Sequence, residues 1–337
     1  MAKAPKFEGR TFRERPDLNE IKSFVLQREL YGVKKDKSLE ITDIDSKSPS
    51  GHWNFLIKQG DSKFVFRLVG DEKPISGDEI EKEYKILEHA APYRVGPKPY
   101  YFSKTDFKEP FLVEEFLDGK LFTQLDVTEQ KNEFPKVAEL IAKINDIPIT
   151  EELRQYLQPI KGYDWNFQTW QNRLIEISTD SQYNFLKTKI EKILPESQKS
   201  ITRYSESLKL APEKFIFKSA HVGHCIKTDS GLRFLNWEEV GYGDPSYSLA
   251  VFLASVRNRD DFKEIKNTMI KSYLRQNNSI KEKELRDLLD ARLFERLVSD
   301  TIWPVWMAAI QRRALLDNEI EAVEQRLEDI KKTLKSN

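Results

Sequence analysis

The sequence predicts an α+β chain of two lobes, a small strand-rich lobe with one helix and then a larger, mainly helical lobe. Three observations carry this. Runs rich in β-branched and aromatic residues crowd into positions 52 to 119. A single helical period interrupts them between 76 and 92, and helical periodicity dominates from 128 onward. The expected joint lies near Glu114–Gly119, dividing the chain into 1–117 and 118–337.

Residues 1 to 16 are basic and polar. In "RPDLNEIKSFVLQRELYG", Leu18, Ile21, Val25 and Leu30 fall close to helical spacing, and Gly32 marks a stop. "HWNFLIKQGDSKFVFRLVG" is two β-rich runs around a turn at Gly60-Asp61, the pattern of a hairpin. "SGDEIEKEYKILEHAAP" places Ile80, Tyr84, Leu87 and Ala91 on one helical face, with Pro92 just past the end. "KPYYFSKTDFKEPFLVEEFLDG" supplies two more strands around a polar turn and closes at Gly119. Residues 128 to 210 are mostly helical, with Trp165, Trp170 and Tyr183 as aromatic anchors. Two short β-like runs, 215–217 and 232–235, interrupt the helices, and from Asp244 the chain is helical again. Ile320, Val323, Leu327 and Ile330 form a closing apolar stripe, expected to dock on the chain's own core.

Composition narrows the function classes. The 55 basic and 55 acidic residues cancel, so no net field draws the chain to nucleic acid or to an anionic membrane. One cysteine rules out an internal disulfide framework and fits a reducing compartment. "MAKAPKFEGRTFRERPDLNE" lacks the apolar stretch of a signal peptide, and no run approaches about 18 apolar residues. A cytoplasmic chain is expected, with neither nucleic acid nor membrane as partner.

The order of elements and several strings within residues 40 to 255 resemble the aminoglycoside phosphotransferase and choline kinase superfamily, whose fold is protein-kinase-like. The most specific string is "LNWEEVGYGDPSYSLA", similar to the family's Ile-Asp-Trp-Glu followed by Gly-Asp-Pro and a helix. "SPSGHWNFLI" resembles the phosphate-covering loop, with Gly51 and Asn54 at matching places. Backbone N–H groups in such a loop cradle phosphate oxygens; read alone, the string is a turn between strands. Arg67 stands where the family carries a strand cation that meets the nucleotide phosphates, and Glu83 matches the acid that holds it. "LVEEFLDG" resembles the linker whose backbone reads adenine, with Glu115 and Leu117 at the hydrogen-bonding positions. Glu114 replaces an apolar residue common at the back wall of that pocket, a mark against ordinary ATP binding.

The segment 217–245 departs from the family where chemistry happens. The family's His-Gly-Asp, four residues, Asn, then a hairpin ending in Asp-Trp becomes Lys218-Ser219-Ala220, then Cys225, then Asn236-Trp237. The resemblance therefore implies that Ala220 replaces the catalytic Asp, Cys225 the metal-binding Asn and Asn236 the metal-binding Asp. A methyl group cannot take or orient a proton, and such a base is worth on the order of 10²–10⁴ in rate. Magnesium wants oxygen ligands, and a thiol is a poor one. Asn236 keeps a carbonyl oxygen and loses the charge. Asp244 keeps an implied structural role, and Ser248 replaces another frequent Asp.

No metal site is expected. His221, His224 and Cys225 cluster within five positions, yet neighbours 224 and 225 are awkward for one ion, and His52 and His89 stand isolated in the sequence. Glu238 and Glu239 offer carboxylates, although Glu238 matches an acid common in active relatives. As a former ligand in a cleft, Cys225 is expected to be partly accessible. Together these residues imply a pseudokinase that binds a small ligand, a nucleotide or a protein partner. It requires no cofactor, and ATP or another nucleotide is expected to bind weakly and without magnesium. Two alternatives stay open: an active ATP-dependent small-molecule phosphotransferase with rearranged metal and base residues, and a structural assembly subunit.

Overall fold

The structure, a computed structural model, describes residues 15–44, 52–70, 78–160, 163–178, 182–311 and 313–336. The chain divides into two compact units: 1–126 with 149–157 and 223–240, and 127–148 with 158–222 and 241–337. The first unit is thus discontinuous in sequence, whereas a single cut after Leu117 leaves two continuous pieces. Strand pairing explains the difference, because residues 119–121 pair with residues 226–228. The divide also crosses the 217–245 segment, with Ala220 in one unit and Cys225 and Asn236 in the other.

The first unit opens with helix α1, Leu18–Gln27. Asp17 caps it, accepting from the Asn19 N–H at 2.6 Å, while Glu20 accepts from the Asp17 N–H at 3.1 Å. The helix ends earlier than Gly32. That glycine instead closes a short 3-10 turn, Leu30–Gly32, at φ +82°, a left-handed conformation that a Cβ disfavours.

Next come β1 (Glu40–Asp43), β2 (His52–Gln59), β3 (Ser62–Val69), α2 (Asp78–Ala90), β4 (Pro99–Ser103) and β5 (Phe111–Glu115). The five strands form one antiparallel sheet in the order β1-β2-β3-β5-β4. The β2–β3 hairpin sets Asn54 opposite Arg67. Ile21 and Val25 of α1 are fully buried and pack with Trp53, Phe55, Phe66 and Phe111 of the sheet. Helix α2 buries Ile80, Ile86 and Leu87, but also Glu83. Strand β6 (Gly119–Leu121) edges a second small sheet with the hairpin Cys225–Thr228 and Gly231–Phe234.

The second unit begins with α3, Val127–Asn145, and continues in helices including Tyr163–Glu176, Asn184–Thr202, Phe262–Gln276, Glu282–Gln311 and Asp317–Ser336. A three-stranded sheet of Gln158–Pro159, Val240–Gly243 and Lys214–Phe217 sits among them. Several of its buried polar groups are paired with one another. Asn145 donates to the Phe215 carbonyl at 2.7 Å and accepts from the Tyr273 hydroxyl at 2.8 Å. Asp244 accepts from the buried Arg292 at 2.7 and 3.1 Å, which gives it the structural role expected of it. Val323, Leu327 and Ile330 of the closing helix are buried with Leu186, Ile190 and Val298, so the final apolar stripe covers this unit's own core. Among the described residues, no helix is long and apolar enough to cross a membrane.

Candidate functional site

Arg67 organises the candidate site. It lies on β3 and is buried, and a buried guanidinium must find acceptors for its five N–H groups. Asn54 faces it across the hairpin and accepts from Nη1 at 3.2 Å. Glu83 reaches it from α2 and accepts from Nε at 3.0 Å. Asn236, just past the Gly231–Phe234 strand, accepts from Nη2 at 2.8 Å. Three residues singled out in the sequence therefore meet around a fourth, the Arg67 cation.

The segment at Asn236 is held from both sides. Asn236 adopts φ +65°, a left-handed conformation that asparagine tolerates better than most residues. The next backbone N–H, of Trp237, donates to the other oxygen of Glu83 at 3.1 Å. The fully buried Trp237 indole donates to the Phe234 carbonyl at 2.8 Å. Its ring lies so close over Gly96 that a Cβ there would fall well inside van der Waals contact.

The other expected residues are placed differently. Gly51 lies outside the described residues. The Glu115 N–H donates to the Lys98 carbonyl at 2.8 Å, so it serves the sheet, and its carboxylate meets Arg233 at 2.7 Å. Leu117 is buried. Glu114 is buried too, and its carboxyl is pushed up to about 8, chiefly by burial and next by the charge of Glu83. Ala220 is fully buried in the second unit, in the turn after the Lys214–Phe217 strand. Cys225 is also fully buried, against the expectation of an accessible thiol. It opens a strand in register with Phe234, which is fully buried as well.

His52 is not isolated. Its Nε2 lies 2.8 Å from the Glu238 carboxylate and its Nδ1 lies 3.3 Å from the Leu68 carbonyl. Burial and the nearby Arg67 lower its pKa, against the pull of Glu238. His52, Glu79 and Glu238 bring ligand-type atoms within 4.8 Å of one another. They are the one such group of His, Cys, Asp or Glu among the described residues, and His221, His224 and Cys225 form none. Sequence reasoning missed it because the members are far apart in the chain. A signal was present, though: His52 shares a strand face with Asn54, and Glu79 a helix face with Glu83.

A profile of the phosphotransferase enzyme family matches residues 49–294. The chain belongs to this family. Its fold is protein-kinase-like, shared with the aminoglycoside phosphotransferases and the choline and ethanolamine kinases. A choline kinase from Cryptosporidium parvum Iowa II is similar at a TM-score of 0.67 and 16% identity, over 95% of this chain and 96% of that one. The wild-type aminoglycoside 2'-phosphotransferase-IIIa, solved as its GDP complex, is similar at 0.64 and 13%, over 94% and 99%. A Plasmodium vivax ethanolamine kinase is similar at 0.63 and 20%, over 90% and 84%. At these identities the likeness is one of fold. No curated protein matches the sequence.

For a phosphotransferase of this fold a magnesium nucleotide is the implied cofactor, and the residues at the expected metal positions do not fit it. Cys225 offers a buried thiol, and the one carbonyl oxygen of Asn236 accepts from Arg67. Neither supplies the anionic oxygen that magnesium prefers.

Proposed function

We propose that this phosphotransferase-family chain is a pseudokinase, which binds a small ligand, a nucleotide or a protein partner without turning it over. The observation that carries this reading is the Arg67–Asn236 hydrogen bond at 2.8 Å. The side chain at the position of a metal ligand is turned to the strand cation. Phosphoryl transfer depends mainly on positioning and charge neutralisation, so losing the base at Ala220 and the metal at Cys225 and Asn236 together leaves little catalysis. Nucleotide phosphates then rely on Arg67 and backbone donors, with no divalent ion. The single cysteine fits a reducing compartment such as the cytoplasm.

Calorimetric titration with ATP and GTP, with and without magnesium, tests this beside a turnover assay. Weak, chelator-insensitive binding without turnover is expected. Magnesium-dependent turnover near the usual enzyme median of roughly 10 s⁻¹ would overturn it. The convergence of His52, Glu79 and Glu238 favours a second reading, an active phosphotransferase with rearranged ligands. Under that reading, magnesium-dependent turnover exists and disappears in Glu238→Gln.

A further inference from the structure

We propose that His52, Glu79 and Glu238 form a binding site for a divalent transition ion of the manganese or zinc class, which ties β2, the first turn of α2 and the segment after Trp237 together. Their ligand atoms lie within 4.8 Å of one another. Two opposed bonds of about 2.1 Å span nearly that distance, so small side-chain rotations close the site around one ion.

The placement follows from the elements that build the Arg67 network. His52 precedes Asn54 by one strand period, Glu79 precedes Glu83 by one helical turn, and Glu238 follows Asn236 by two residues. Each proposed ligand is therefore a neighbour of an Arg67 partner on the same element. Two constellations arise side by side, one gathered on a cation and one made of metal-ligand types.

The histidine carries the chemistry. Its Nδ1 faces the Leu68 carbonyl oxygen at 3.3 Å, and a carbonyl can only accept. A proton on Nδ1 leaves the Nε2 lone pair directed at a Glu238 oxygen 2.8 Å away. With the ring's proton on Nε2 instead, the imidazole donates to Glu238; a divalent ion at Nε2 would shift that proton to Nδ1, where the Leu68 carbonyl accepts it. A backbone carbonyl behind the ring is the usual way a ligating histidine is oriented. One imidazole and two carboxylates suit manganese or zinc better than magnesium or calcium, which prefer oxygen alone. The opposing charge of Arg67, 4.0 Å from Glu238, is itself paired with Glu83.

The site involves neither nucleotide nor the positions of Ala220, Cys225 and Asn236, so its test can be kept apart from the pseudokinase reading. The full chain, stripped of metal and free of nucleotide, is titrated with manganese chloride by calorimetry and by melting temperature. One equivalent and a higher melting temperature are expected. Glu79→Gln, at the partly exposed start of α2, should keep the fold and weaken manganese binding at least about tenfold; Glu238→Gln should do the same. Magnesium chloride should bind at least about tenfold more weakly than manganese. No binding by the parent protein, equal binding by Glu79→Gln, or equal affinity for magnesium would each overturn the proposal. Such a failure leaves the pseudokinase reading standing. Magnesium-dependent ATP turnover beside intact manganese binding overturns that reading and not this one.

Discussion

Arg67 donates to Asn236 Oδ1 at 2.8 Å while its Nε holds Glu83 at 3.0 Å, so one buried guanidinium joins a strand, a helix and the end of a hairpin. Arg67→Met keeps the bulk of the stem but leaves the Glu83 carboxylate buried beside an apolar chain. The expected loss is about 3–5 kcal/mol, the usual result of breaking a buried pair from one side. Urea denaturation of parent and variant measures it, and a loss below about 1 kcal/mol would contradict the central place of this contact.

Asn236→Asp restores a carboxylate, yet it places that charge against Arg67 and not in open solvent. The new group should form a charge-assisted hydrogen bond with the guanidinium. Nucleotide binding by this single variant is therefore expected to stay insensitive to magnesium in calorimetric titration. Adding Ala220→Asp and Cys225→Asn should make binding magnesium-dependent, because it supplies a second oxygen ligand.

The raised carboxyl of Glu114 gives stability a definite pH slope. Its folded value near 8 exceeds the ordinary 4.5, so between these limits the folded chain holds a proton that the unfolded chain has released. This contribution is full below about 4.5, falls as pH rises and is gone above about 8, at a rate of about 1.4 kcal/mol per pH unit. Glu114→Gln should flatten that slope and leave the variant more stable than the parent at alkaline pH. Urea midpoints measured from acid to alkaline pH decide it, and parallel curves for the two proteins would refute the assignment.

Cys225 is fully buried at the start of a paired strand. A thiol reagent should leave the native chain unlabelled and react to completion in denaturant, with labelling that follows unfolding. Rapid stoichiometric reaction under native conditions would mean that the 225–234 hairpin opens on its own.

The seat of Trp237 over Gly96 leaves no room for a methyl group. Gly96→Ala should push the indole off its bond to the Phe234 carbonyl and disturb Asn236 next to it. A loss of about 1–3 kcal/mol is expected, as for overpacking elsewhere. A calorimetric melt checks it, with unchanged melting as the contrary result.

Much of this architecture is local, and so the sequence by itself determined it. The β2–β3 hairpin, α2 and the apolar stripe of the last helix are written as periods of two or of 3.6 residues, which any one segment displays without its neighbours. The approach of Glu83 to Arg67 was legible too, through the resemblance that matches them to the family's strand cation and the acid that holds it. The tertiary structure alone decided the rest. It joined His52 to Glu238 across 186 residues and enclosed Cys225. It also gave Asn236 a guanidinium as its partner. None of these has a local signature strong enough to stand alone, since each side chain reads as an ordinary polar residue on its own element. Their meeting depends on where several packed elements leave those elements' ends, and chain-closure entropy is overcome only when the whole core forms at once.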